Sequence, residues 1–76
     1  MRKAKDVFKE MINLCYEEDY PELHKELVSF ERETKAEKNY DAAMEELFNI
    51  IPLFADDFPY ETLSQIEEIY EEYLES

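Results

Sequence analysis

The chain predicts an all-α fold: an antiparallel four-helix bundle built from two helical hairpins in a single domain, 1–76. Three observations predict it. There is no glycine and there are only three prolines in 76 residues, which disfavours tight hairpin turns and phosphate-cradling loops. Apolar residues recur at three-and-four spacing in four separate runs. Two similar phrases, "EDYPEL" at 18–23 and "DDFPYETL" at 56–63, stand before the second and fourth of these runs.

The first helix is expected over about 3–18, with Ala4, Val7, Phe8, Met11, Leu14 and Cys15 on one stripe. The second, about 20–37, carries Leu23, Leu27, Val28 and Phe30 and then the mostly solvated "ERETKAEK". The third, about 40–54, carries Ala43, Met44, Leu47, Phe48, Ile50 and Ile51. Pro52 lacks the amide hydrogen a helix uses, so this helix ends or kinks near it. The fourth, about 58–75, turns Leu63, Ile66, Ile69, Tyr70, Tyr73 and Leu74 inward.

The repeated phrase reads as helix punctuation. Asp19 and Asp57 have the side chain of an N-cap, accepting from a free first-turn amide. Proline is tolerated in that turn, and the aromatic can pack back as a hydrophobic staple does. Laying 1–38 over 39–76 gives only six identities, which favours convergent punctuation over duplication. With short connections, sequential helices become antiparallel neighbours. The first and third loops then share one end. That end collects Glu17, Glu18, Asp19, Glu22, Asp56, Asp57 and Glu61, with Tyr20 and Phe58 among them.

Charge is divided unevenly. Residues 1–38 hold eight Lys/Arg against ten Asp/Glu, a net −2; residues 39–76 hold eleven Asp/Glu and no Lys/Arg, a net −11. A field of that sign repels nucleic acid and anionic membrane and attracts basic proteins. With 45% apolar and 14% aromatic residues the chain can build a core, so it is no disordered acidic tail. One cysteine excludes an internal disulfide and fits a reducing compartment. No stretch approaches a membrane span, and "MRKAKDVFKEM" lacks the apolar core of a signal peptide. A soluble, cytoplasmic protein is the expectation.

Chemistry is sparse. Cys15 lies on an apolar stripe and reads as a core residue. His24 lies one turn into the second helix, at the rim of the core, with no partner for base catalysis. One Cys and one His cannot complete a zinc site. An EF-hand needs a glycine that the chain lacks. Four short helices offer no obvious cleft. The expectation is therefore a protein that is not an enzyme and needs no cofactor or metal.

What remains is an acidic face. Glu61, Glu68, Glu71, Glu72 and Glu75 project from the fourth helix, and Asp41, Glu45 and Glu46 from the third. Mixed-sign pairs at i,i+4 are worth about 0.3 kcal/mol each. The first half uses nearby opposite charges, as in Lys5 with Glu10, Glu22 with Lys25 and Glu31 with Lys35, and the second half has none. Such a row of carboxylates can imitate a phosphate backbone and steer a basic protein. Tyr60, Tyr70 and Tyr73 lie nearby, and tyrosine is enriched at binding hot spots; Tyr70 and Tyr73 also read as core edge. The bland alternative makes the acidic half a solubility feature.

The stretch "MEELFNIIPLFADDFPYETL" (44–63) resembles the middle of the immunity proteins that block colicin-type tRNA-cleaving toxins. "LVSFERET" (27–34) is similar to the second helix of the DNase-colicin immunity proteins. The resemblance implies a four-helix bundle whose acidic surface covers a toxin's basic active site, with Asp56, Asp57 and Glu61 as contacts. Phage-encoded inhibitors of nucleases or DNA-binding proteins, including nucleic-acid mimics, fit the same charge. A small helical adaptor, acting through an apolar surface or as a homodimer, is the alternative of a different kind.

Overall fold

The structure, a computed structural model, describes residues 2–75. Among them are four α-helices and no strand: α1 (Ala4–Tyr16), α2 (Pro21–Glu37), α3 (Tyr40–Phe54) and α4 (Tyr60–Glu75). They pack as a bundle in which α1 touches each of the other three helices and α2 also lies on α3. Val7, Phe8, Met11, Ile12 and Cys15 of α1 are buried in the core. From α3 come Ala43, Met44, Leu47, Ile50 and Ile51. No buried side-chain polar atom among the described residues lacks a hydrogen bond.

The stripes agree with the sequence for α1 and α3, with Ile12 added to the core and Ala4, Leu14 and Phe48 left at its edge. On α2 the buried row is Leu23, Leu27 and Thr34, with Phe30 half-buried. Val28 stands 40% exposed, a correction. The row steps 23, 27, 30, 34, and Val28 lies one residue, about 100° of rotation, off it. Thr34 occupies a core position because its hydroxyl donates back to the Phe30 carbonyl at 2.9 Å. On α4 only Ile66 is buried; Leu63, Ile69, Tyr70 and Tyr73 lie at the core edge. Leu74, expected inward, is 60% exposed in the last turn.

Aspartate capping is not what starts α2 and α4. Pro21 is the first residue of α2, so Tyr20 occupies the N-cap position, in an extended conformation with φ −128° and ψ 91° and no side-chain cap. A residue before proline is driven to that region. At α4 the Leu63 amide donates to the Pro59 carbonyl at 3.0 Å, which makes Pro59 the capping position. Asp19 therefore precedes its cap by one residue and Asp57 by two. The two phrases sit in different helix registers, which supports convergent punctuation. A side-chain N-cap does form at α3, where Asn39 Oδ1 accepts from the Ala42 amide at 3.4 Å.

Two further local features follow from composition. α3 runs through Pro52 to Phe54, so the Phe48 carbonyl goes without the amide it would otherwise receive from residue 52. At the end of α2, Lys38 adopts the left-handed region with φ 60° and ψ 21°. A helix stop of this kind usually uses glycine, and this chain has none. Lys38 takes that position while its amide donates to Thr34 at 2.7 Å.

Candidate functional site

The first and third loops meet at one end of the molecule. The Tyr20 and Phe58 rings pack with centroids 5.7 Å apart, and the Tyr20 hydroxyl donates to the Asp57 carbonyl at 2.9 Å. Thr62 Oγ1 donates to Glu18 at 2.7 Å, tying the start of α4 to the end of α1. The repeated phrases thus dock on each other, aromatic to aromatic. Asp19, Asp56, Asp57 and Glu61 are exposed around them. Partial burial, then the charges of Asp57 and Glu18, raise the pKa of the Tyr20 hydroxyl and keep it a donor. Phe58, expected as a contact residue, is half-buried against the core and serves this junction.

Five of the remaining predicted acids fall on three seams. Asp41 and Glu45 line the α3–α4 seam, where Tyr73 donates to Asp41 at 2.6 Å and Tyr70 to Glu45 at 3.4 Å. The Phe48 and Tyr70 rings pack beside them at 5.6 Å. The bond to Asp41 raises the Tyr73 pKa first; burial does so first for Tyr70. Glu46 lies instead on the α2 side of α3, in a cleft with Phe30 and Thr34. Glu68 and Glu72 face α1. Glu71 and Glu75 are exposed. The structure does not gather all eight helix-borne acids on one face.

An open groove of about 530 Å³ lies between α1 and α4, where the sequence suggested no cleft. Glu10, Leu14 and Glu17 line it from α1 and its end, and Glu68, Ile69 and Glu72 from α4. Arg2 bonds Glu10 at its edge. The expected pairing of Glu10 with Lys5 is replaced by this one. Glu31, by contrast, is paired across helices, accepting from Lys9 at 2.8 Å and from the Tyr16 hydroxyl at 2.9 Å. Burial pushes the Glu31 carboxyl up, but the Lys9 and Tyr16 bonds outweigh it and the net direction is down.

Cys15 is a core residue. Burial, then the charge of Glu18, pushes its thiol up to about 12, far from the thiolate a nucleophile needs. His24 is exposed, beyond the core rim where it was expected, and its ring lies 4.7 Å from that of Tyr16. No group of three or more His, Cys, Asp or Glu among the described residues could hold a metal ion. Among the described residues no helix is long and apolar enough to cross a membrane.

Of the exposed apolar side chains at the α3–α4 loop, sequence reasoning singled out Tyr60 and passed over Leu53 and Phe54. Leu53 is 76% and Tyr60 80% exposed, and Phe54 is 37% exposed; they bracket the α3–α4 loop. Their signal was a Leu-Phe pair after Pro52 that exceeds what a half-buried stripe can absorb. No protein-family model matches the chain, and no curated protein or solved structure matches it either.

Proposed function

We propose that this protein is a non-enzymatic acidic inhibitor that binds and neutralises a basic protein, a nuclease or another nucleic-acid-binding protein, by presenting carboxylates in place of phosphates. The observation that carries the reading is α4: Glu61, Glu68, Glu71, Glu72 and Glu75 are all exposed, and no Lys or Arg follows residue 38. The resemblance of 44–63 to tRNase-toxin immunity proteins, or a role as a phage inhibitor of host enzymes, fits this reading. It needs neither metal nor cofactor and acts in the cytoplasm as a soluble single domain. Two antiparallel hairpins are the arrangement that suits the contacts: Phe8 meets Phe30 while Tyr16 meets His24, and Asp41 meets Tyr73 while Glu45 meets Tyr70. Asp41 and Glu45 flank the surface, Glu46 lies on the α2 side of α3, and Asp56, Asp57 and Phe58 form its tip.

Exposed Leu53 and Tyr60 favour a second reading, an adaptor or homodimer that works through apolar surface. Charge reversal separates the two. Glu68→Lys, Glu71→Lys and Glu72→Lys together should abolish capture of a basic partner while far-UV circular dichroism stays helical. Unchanged capture by the triple variant removes the acidic-face reading and leaves the adaptor.

A further inference from the structure

We propose that the groove between α1 and α4 is the receptor for a cationic side chain, arginine or lysine, projecting from the basic partner. The inference rests on the inhibitor reading and locates its centre. The groove has two apolar residues, Leu14 and Ile69, and four carboxylates, Glu10, Glu17, Glu68 and Glu72. That layout matches the two parts of a long cationic side chain. Its methylene stem lies on apolar surface while its charged head seeks anions. A bare acidic patch offers the head alone, and a bare apolar groove only the stem.

The chain supplies its own demonstration. The Arg2 guanidinium donates to Glu10 on the α1 wall. One intramolecular cation therefore already sits at the edge, bonded to one of the four carboxylates. A second copy of this chain is a poor occupant. It would bring another net charge of −13, and its α4 has no cation to offer. The occupant that satisfies the charges is a partner with an exposed arginine or lysine on a basic surface.

The test compares two charge-matched pairs on one helix. Glu68→Gln with Glu72→Gln alters the groove. Glu71→Gln with Glu75→Gln removes the same charge from α4 outside it. The probe is a fluorescein-labelled oligo-arginine peptide, read by anisotropy at low salt with the full chain. Binding should weaken about tenfold for the groove pair, roughly 1.4 kcal/mol, and far less for the outer pair. The Leu14 and Ile69 methyl resonances should shift on titration of the wild-type protein. Equal losses for both pairs, or unmoved methyls, overturn the groove and leave the acidic-surface reading standing. No binding by the wild-type protein, or no loss from either pair, overturns both. Each pair removes like charges, so circular dichroism should show helicity kept or raised.

Discussion

The α1–α2 pair and α4 meet the same core by different means. α1 buries five side chains in it, and its polar contact with α2 is an ion pair: Lys9 to Glu31, reinforced by the Tyr16 hydroxyl. α4 buries one side chain, Ile66. Its carboxylate contacts are made by hydroxyls: Thr62 to Glu18, Tyr70 to Glu45 and Tyr73 to Asp41. The difference follows from composition. A half with no Lys or Arg must satisfy carboxylates with neutral donors, and such bonds leave the negative charge in place. The N-terminal half neutralises part of its charge to stabilise itself. The C-terminal half keeps its charge available, and within it α4, with Ile66 alone buried, is the less firmly anchored helix.

That contrast can be broken or sharpened by experiment. The largest effect belongs to Ile66→Ala, which should cost about 2–5 kcal/mol. Because Ile66 is the buried anchor of α4, amide exchange should accelerate along α4 before it does in α1; uniform acceleration would show that the two halves unfold as one unit. Tyr16→Phe should cost about 1 kcal/mol in urea unfolding. It carries a pH signature as well. Burial first, then the Glu31 bond and charge, raise the Tyr16 pKa above its ordinary value of 10.0. A folded-state pKa above the unfolded one adds stability that is complete below pH 10.0 and is lost as pH climbs through the folded value. Urea midpoints should therefore hold up to about pH 10 and fall above it, and less so in Tyr16→Phe. Lys38→Gly should raise stability by about 1 kcal/mol, because glycine adopts the left-handed region without the clash of a Cβ. The smallest effect is expected for Asp57→Ala: within about 0.5 kcal/mol, as for an ordinary surface position, where a true cap would lose about 1 kcal/mol.

Much of this fold was legible in spacing alone. α2 and α3 begin and end within a residue of where the stripes and prolines put them, and the meeting of the two loops followed from short connections. The caps were not legible. "DYP" and "DFP" look alike, yet Pro21 enters the helix while Pro59 stays outside it, and that one-residue difference depends on how each loop packs. Leu74 and Val28 were misplaced because a stripe drawn on one helix does not reveal how wide a strip its neighbours cover. α4 touches mainly α1, so its far side stays wet. The acids of α4 were correctly placed in solvent. The groove was not visible, because it pairs Leu14 with Ile69, 55 residues apart in sequence.

The central claim is that the uncompensated charge of the second half is a binding surface. The most direct measurement is the salt dependence of affinity for whatever protein a pull-down with the wild-type chain retains, followed by calorimetry from low to above-physiological ionic strength. Binding by the acidic surface predicts a steep loss of affinity as salt screens the charges. An affinity that stays flat across the series would contradict it, and would give the interaction to Leu53, Phe54 and Tyr60.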